Sequence, residues 1–479
     1  MSMVSFGFEV HQPFRINNKF DATEVIKRGD LRRIYFSNKN KEILERVVQN
    51  CYVPATEIML DNLDQGFKCA FSFSGTAIEQ LEKWGKDALE LFKQVAVHEN
   101  AEILAETYYH SLASLFHDKD EFEKQVRLHQ QLMKNTFRVN PNVFVNTDFI
   151  FNNGIASIVK RLGFSATYAE GVDRVLEGRT PNDVYTCQGM KVLMRNYKLS
   201  DDIAFHFGNK DWDQYPLSAD KFASWLAATP GDCINIFLPY ETFGEHGSKE
   251  SGILEFLRWL PSELMDKGNE CALPSQVARI DAREELNVEE MTSWAGADKD
   301  LSIWLGDCKQ RIAFKAIERA KSLVKNKDIL RYFQASDHFL AMSPMLSAVP
   351  SYYSEGGPFE SFVTYMKILS DLEQIPGMMR TKGAVMGLLC LPPEKAFHFF
   401  AGDRYAGYSA YSLDEFADQL QVVPNDVITY HLERGDFSRW IEEVLGDTQL
   451  TAEVGKCAMR HELVEAVEKR RDYLYHRLK

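Results

Sequence analysis

The chain of 479 residues is long enough for one large barrel domain with a smaller companion, or for two to three domains of ordinary size. Its formal net charge of −14, without an evident basic patch, argues against nucleic acid and anionic membranes as partners and favours a neutral ligand. Hydrophobic residues make up 45% and charged residues 26%, so the composition is that of a globular protein and not of a disordered one.

The N-terminal segment and the cysteines both predict a cytoplasmic protein. MSMVSFGFEVHQPF has no basic region followed by an unbroken apolar stretch, so it is interpreted as a strand and not as a signal peptide. No run of about 18 apolar residues occurs, and no membrane span is expected. The eight cysteines are scattered without a Cys-x-x-Cys pair, which predicts buried free thiols in a reducing compartment.

Short apolar runs that end in polar residues recur over the first half of the chain and predict strands. These runs are Val4–Val10, Phe67–Phe73, Val143–Phe151, Phe164–Tyr168 and Cys233–Leu238. Apolar residues at helical spacing lie between them, as in Ala77–Val95 and Asp120–Lys134. The alternation predicts an α/β fold with a parallel sheet, and polar residues directly after the strands are typical of the C-terminal face of a (β/α) barrel.

After Pro261 the pattern becomes mostly helical. Leu286–Trp304 is mixed and acidic, whereas Arg311–Phe339 and Tyr352–Leu372 have helical character. Pro and Gly residues in 375–383 predict the clearest domain boundary.

The last hundred residues form separate helical segments, and Ser412 with Glu415 predicts a capping box at one helix start. We therefore divide the chain into a barrel over residues 1–265, a helical region over 266–376 and a small, mostly helical C-terminal domain over 377–479.

Phe237–His246 reads FLPYETFGEH and resembles the F-M-D-Y-E-T-F-G-E-H signature of glycoside hydrolase family 57. Four further segments are similar to motifs of that family and occur in its order: His11–Pro13, Ala101–His110, Val145–Asp148 and Gln334–Phe339. The resemblance covers roughly residues 4–375 and is greatest to the α-amylase type, which acts on α-1,4-glucans. It implies an incomplete (β/α)7 TIM-like barrel of parallel strands, followed by a helical region that completes the cleft.

Retaining glycoside hydrolases use two carboxyl groups, one as nucleophile and one as acid/base, about 5–5.5 Å apart. The resemblance puts Asp148 at the nucleophile position, where the family has Glu, and Pro239 at the acid/base position, where it has Asp. Val145 replaces an Arg that would help to keep the nucleophile ionised. The shorter Asp side chain withdraws its oxygen by about 1.5 Å, and a general acid is worth about 10²–10⁴-fold in rate. Hydrolysis is therefore expected to be lost or strongly reduced.

Seven further residues are assigned to substrate binding by the resemblance: His11, Glu102, Tyr109, His110, Glu241, Asp337 and His338. Glu102 takes the position of the family's substrate-binding Glu. Alternatives remain open, since His11 and Tyr109 can also be core residues, and Glu102 and Glu241 can form structural ion pairs.

No cofactor or metal is expected. The chain has no His-x-x-x-His pair, and His110, His117 and His129 are predicted to lie singly on exposed helices.

Three functions follow from these patterns. The first is binding of α-1,4-glucan or maltooligosaccharide with lost or strongly reduced hydrolysis. The second is an active glycosidase or glucanotransferase that uses Asp148 with a substitute acid such as Glu241 or Asp337. The third is a non-catalytic regulatory or scaffold partner in glycogen metabolism, with the C-terminal domain binding a protein partner.

Overall fold

The computed structural model describes residues 2–20, 31–324, 327–345, 356–374, 388 and 390–476. The chain forms two compact units, and it passes between them several times. The first unit contains Met1–Phe14, Asn38–Ile303 and Gln334–Asp337, and the second contains Arg15–Ser37, Trp304–Phe333 and His338–Lys479.

The first unit is built on a ring of parallel strands. In chain order the strands are β1 (Met3–Val10), β2 (Cys69–Phe73), β3 (Ala101–Leu104), β4 (Val143–Phe144), β5 (Ala166–Glu170), β6 (Val184–Cys187), β7 (Met190–Arg195), β8 (Cys233–Pro239) and β9 (Glu270–Cys271). The sheet runs β3-β2-β1-β8-β7-β5-β4, and a parallel bridge between Ala105 and Phe144 joins its two ends. Within the described residues this is a nearly closed barrel of seven parallel strands, which confirms the predicted fold class. β6 pairs antiparallel with β7, and β9 extends the start of β1.

Helices follow most barrel strands and make up most of the second unit. In chain order they are α1 (Leu31–Tyr35), α2 (Lys39–Val47), α3 (Val53–Asp64), α4 (Gly75–Trp84), α5 (Lys86–Val97), α6 (Asp120–Phe137), α7 (Asn153–Arg161), α8 (Asp173–Leu176), α9 (Tyr197–Asp201), α10 (Ala219–Ala228), α11 (Ile253–Asp266), α12 (Pro274–Val277), α13 (Ser302–Leu305), α14 (Cys308–Leu323), α15 (Lys327–Tyr332), α16 (Ser336–Leu340), α17 (Pro358–Gln374), α18 (Leu413–Val422), α19 (Asn425–Arg434), α20 (Asp436–Trp440), α21 (Thr448–Val454) and α22 (Arg460–His476). The C-terminal region is thus mostly helical, as predicted.

Two predicted elements are shorter in the structure. The Val143–Phe151 run forms a strand only over β4, because Asp148 and Phe149 have positive φ angles that an extended strand does not accommodate. The long helix predicted over Arg311–Phe339 is divided into α14, α15 and α16. Ala335 pairs with Ser111 in an isolated bridge, so a tertiary contact overrides the helical preference of the segment.

The second unit contains a helical core and one antiparallel hairpin of β10 (Phe397–Ala401) and β11 (Arg404–Ala410). Ser412 caps α18, since its side-chain oxygen accepts a hydrogen bond from the Glu415 backbone N–H at 3.2 Å. The Glu415 carboxylate instead accepts from the Tyr411 N–H, so only half of the predicted capping box forms. The boundary predicted in 375–383 lies outside the described residues, and the division at 265 and 376 stays a prediction.

Among the helices that the structure describes, none is both long and apolar enough to cross a membrane.

Strand register decides which side chains face the inside of the barrel. β1 and β8 are paired so that Gly7 lies beside Phe237 and Glu9 lies beside Pro239. Side chains that are paired in this way project to the same face of the sheet. Phe237 packs on this inner face against Phe149, with ring centroids 4.9 Å apart. The inner face of β1 therefore carries Gly7 and Glu9, and the first of them leaves room for the Phe237 ring.

We predict that Gly7→Ala destabilises the first unit by about 1–3 kcal/mol, because overpacking a filled core forces its neighbours to move. A Cβ atom at position 7 would lie 2.2 Å from Cδ2 and 2.5 Å from Cε2 of Phe237. Chemical denaturation measures the loss in free energy of unfolding. Gly208→Ala is the matched control, since a Cβ there has no heavy atom within 4 Å. Equal stability of the two variants would contradict this packing.

Candidate active site

Several strands deliver acidic and imidazole groups to the carboxyl end of the barrel. Glu9 and His11 come from the end of β1, and Glu106 and His110 follow β3. Asp148 follows β4 in a 3₁₀ turn over Thr147–Phe149. In parallel barrels this end is where reacting groups from separate strands meet.

Asp148 is held in a left-handed backbone conformation with φ 53° and ψ 26°. Its backbone carbonyl accepts from the Trp294 N–H at 3.0 Å, and its Oδ1 accepts from the indole Nε1 at 3.0 Å. Asp148 Oδ2 is buried and has no hydrogen-bond partner among the described residues. A strained residue with an unsatisfied buried acceptor marks a functional position more often than a structural one.

His110 lies between two sets of carboxylates. Its Nδ1 is 3.0 Å from Glu106 Oε2 and 3.7 Å from Glu9 Oε1, and its Nε2 is 3.7 Å from Asp148 Oδ1. Burial alone lowers the pKa of His110, but Glu9, Asp148 and Glu106 together raise that pKa well above its ordinary value. His110 is therefore a buried imidazolium that neutralises part of the negative charge around Asp148.

His11 stacks on His110, with ring centroids 4.1 Å apart. Its Nδ1 bonds to Ser74 Oγ at 2.7 Å, and its Nε2 bonds to Asp337 Oδ2 at 2.8 Å. Burial and the neighbouring His110 charge lower the pKa of His11, so it stays neutral beside the charged ring. The structure thus brings His11, His110 and Asp337 together, as the sequence motifs indicated.

Glu9 is 5% exposed and lies in register with Pro239, the residue at the predicted acid/base position. Burial raises the pKa of Glu9 well above its ordinary value, and the carboxylates of Glu106, Asp148 and Glu241 raise it further, although His110 opposes them. Burial therefore favours the neutral carboxyl of Glu9, whereas the positive charge of His110 favours the carboxylate.

Glu241 follows Pro239 and is buried away from solvent. Its Oε1 accepts a short hydrogen bond from the Tyr52 hydroxyl, and it also accepts from the His11 N–H at 3.3 Å and Gln12 Nε2 at 3.4 Å. Burial raises its pKa to about 7, although these bonds lower it. Glu241 joins the residues that follow β1 to Tyr52, which directly precedes α3, and this is a positioning role.

The cation near this site is Arg195, from the end of β7. Its guanidinium is paired with Glu170 at 3.1 Å and Asp201 at 2.6 Å, and it lies 5.6 Å from the centre of the Trp294 ring. Val145, at the position where the sequence resemblance expects an Arg, is buried in the apolar cluster inside the barrel. Positive charge thus reaches Asp148 indirectly, since Arg195 packs over the indole that binds the carboxylate.

Three residues predicted for the site do not join this cluster. Glu102 lies in β3, four positions before Glu106, which follows the end of that strand; four positions of extended chain span about 13 Å. Its carboxylate accepts from the Ser275 N–H at the start of α12. His338 belongs to the second unit and bonds to the Tyr332 carbonyl at 2.9 Å. Tyr109 is 6% exposed and packs against Tyr108, with centroids 4.6 Å apart.

Sequence patterns missed Glu9, Glu106, Trp294 and Arg195. A signal existed for the first two, because Glu9 is two residues from His11 and Glu106 is four from Glu102, so each lies near a predicted residue at the end of a strand. Trp294 lies in the acidic segment that has no periodic pattern, and nothing local marks it.

The prediction about histidines was wrong. His110 and His129 are buried, and neither His110 nor His117 lies on a helix. Glu9, Glu106 and His110 bring three ligand atoms within 4.8 Å of one another. Two carboxylates and an imidazole are a donor set that can hold a divalent cation, while the proton on His110 already balances the same charges.

We predict that Glu241→Gln flattens the dependence of stability on pH. Because burial raises the pKa of Glu241 from 4.5 to about 7, the folded protein keeps a proton that the unfolded chain releases. The free energy of unfolding then falls as pH rises from about 4.5 to about 7, by about 3 kcal/mol for this group. Thermal melts across pH 4.5–8 measure the slope.

Tyr52→Phe is the control for this prediction, since it removes the hydrogen bond but keeps the titrating group. Its melting temperature should be lower throughout and still fall with pH. A Glu241→Gln slope equal to the wild-type slope would exclude Glu241 as the titrating group.

Comparisons with known proteins show the family of the chain. The family model of glycosyl hydrolase family 57 matches residues 5–293. A Methanocaldococcus jannaschii protein that carries a provisional alpha-amylase name is 41% identical over 397 residues, which are 78% of this chain and 84% of that protein.

Two solved structures show the same fold. A family 57 branching enzyme of Thermococcus kodakaraensis aligns with a TM-score of 0.57 at 12% identity, over 79% of this chain and 92% of that one. The alpha-amylase AmyC of Thermotoga maritima aligns with a TM-score of 0.52 at 11% identity, over 78% of this chain and 94% of that one. The chain therefore belongs to glycosyl hydrolase family 57.

Proposed function

We propose that the barrel site binds α-1,4-glucan or maltooligosaccharide and that its hydrolase activity is lost or strongly reduced. The observation that carries this proposal is Pro239 at the end of β8, where a side chain without a proton to give stands at the family's acid/base position. Asp148, His11 and Asp337 meanwhile keep defined, hydrogen-bonded positions.

The ligand class is supported by the relatives. The 41% identical protein is named for α-amylase activity, and the solved neighbours include a branching enzyme and an amylase. A neutral polysaccharide also suits a chain with a net charge of −14. The unpartnered Asp148 Oδ2 provides an acceptor for a sugar hydroxyl.

The two substitute acids expected from the sequence are poorly suited to replace the missing one. Glu241 already accepts from Tyr52, Gln12 and the His11 N–H. Asp337 is bonded to His11 Nε2 at 2.8 Å. Using either group as an acid would break contacts that position His11.

We predict that maltoheptaose binds to the barrel site without release of reducing sugar. Isothermal titration calorimetry should show binding that falls at least tenfold in His11→Ala, because the ring that bonds to Asp337 and stacks on His110 is removed. His98→Ala, on an outer segment of the same unit, should bind as wild type does. No heat of binding up to millimolar maltoheptaose would refute the proposal, and so would wild-type turnover at the rate of an ordinary amylase.

One observation favours a second function, that of an active glycosidase or glucanotransferase. Glu9 is a buried carboxyl with a raised pKa in register with Pro239, and it belongs to the same cluster as Asp148. In this alternative Glu9 gives its proton to the leaving oxygen and Asp148 attacks the anomeric carbon.

For this alternative we predict that Glu9→Gln lowers release of maltose from maltoheptaose by about 10²–10⁴-fold, which is the usual worth of a general acid. The loss should be much smaller with 4-nitrophenyl α-maltoside, whose leaving group needs little protonation. Asp148→Asn should abolish both reactions, and Glu102→Gln is the matched control that should retain both. Equal loss on the two substrates would rule out Glu9 as the acid.

A further inference from the structure

The second unit contains a cleft that is separate from the barrel site. It lies between α14, α17, β11 and α18 and has a cavity volume of about 610 Å³. The rings of Phe359 and Tyr405 line it and are 64% and 49% exposed, while Phe362, Tyr408 and Tyr411 form its more buried wall. Exposed aromatic rings around one cavity are unusual on a surface that has no ligand.

The positive charges of the cleft are already neutralised within the unit. Lys315 Nζ lies 2.6 Å from Asp418, and Lys309 Nζ lies 2.7 Å from Asp307. Arg311 donates from Nη1 to the carbonyls of Leu305 and Gly306 at 3.1 Å and 2.6 Å. Because these cations have partners, the cleft is poorly suited to a phosphate or another anion and better suited to a neutral ligand.

The cleft also contains an acceptor that lacks a donor. Gln419 Oε1 is buried and has no hydrogen-bond partner among the described residues. An amide oxygen does not need a cation as its partner, since a neutral hydroxyl can donate a hydrogen bond to it. Such an orphan acceptor in a cavity is explained by a donor that arrives with a ligand.

We propose that this cleft is a second sugar site that binds a short α-1,4-linked gluco-oligosaccharide. One face of a pyranose ring carries C–H bonds and packs against an aromatic ring, while its rim carries hydroxyls that both donate and accept. Phe359 and Tyr405 offer the ring faces, and Gln419 Oε1 accepts from a hydroxyl. The cavity volume lies in the range of about 300–1,000 Å³ that small-molecule sites occupy.

The choice of glucan as the ligand rests on the function proposed for the barrel. The observations that mark the cleft as a binding site do not depend on that function. Its residues all belong to the second unit, whereas His11 and Asp148 belong to the first. Variants of the two sites can therefore be tested independently on the full chain.

Maltoheptaose titrated into the full-length protein should bind at two sites. The Phe359→Ala/Tyr405→Ala double variant should lose one site, and His11→Ala should lose the other. Gln419→Leu, which removes the acceptor at nearly constant side-chain volume, should weaken binding of maltoheptaose at the cleft at least fivefold. Trp259→Ala and Tyr473→Ala are the matched controls, since these side chains are 57% and 48% exposed and do not line the cleft.

Hydrogen exchange in the His11→Ala background locates the remaining site. Maltoheptaose should protect amides within 358–362 and 404–411. Wild-type binding by the double variant would overturn the proposal, as would an absence of protection in these two segments. Binding of inorganic phosphate at the cleft with no binding of maltoheptaose would also overturn it, because it would assign an anion to the cleft.

If His11→Ala binds at the cleft while the wild type shows only that one site, the barrel proposal fails and the cleft proposal stands. If the double variant has no effect and His11→Ala abolishes all binding, the cleft proposal fails and the barrel proposal stands.

Discussion

The active-site end of the barrel depends on one buried imidazole ring. His110 joins Glu106 and Glu9 on one edge to Asp148 on the other, and His11 stacks on its face. Without a positive charge at this point, several buried carboxyl groups would lie together without a counter-charge, and like charges at such distances oppose one another's ionisation. His110 therefore supplies the positive charge around which Glu106, Glu9 and Asp148 are arranged.

The rest of the site is arranged around that ring by strand register. β1 and β8 place Glu9 beside Pro239, and the turn after β4 places Asp148 against the Trp294 indole. Arg195 packs over this indole from β7, so a second buried cation lies beside the ring that binds the carboxylate. The buried charged groups around Asp148 are thus held by contacts from several separate strands.

Local sequence was sufficient for the barrel and for part of the site. Motifs with a fixed order led to His11, Asp148, Glu241 and Asp337, because each lies directly at a strand end or in a helical segment with a distinctive neighbourhood. Glu102 was assigned to the site because the resemblance puts it at the family's substrate-binding Glu, and a local motif does not show the height of a residue along the barrel. Burial of His110 and the indole contact of Trp294 arise only when distant segments meet, and no local pattern contains that information.

The path of the chain ties the two units together in a way that matters for any shortened form of the protein. Gln334–Asp337 belongs to the first unit, yet the residues on both sides of it belong to the second, and Arg15–Ser37 interrupts the first unit near its start. A chain that stops before residue 334 would lack Asp337 and leave His11 Nε2 without its bond. A chain that stops soon after Asp337 would keep Arg15–Ser37 and Trp304–Phe333 but lack most of the second unit, to which both segments belong. A single cut therefore cannot separate the two units, and a stop codon before residue 334 would remove residues of both.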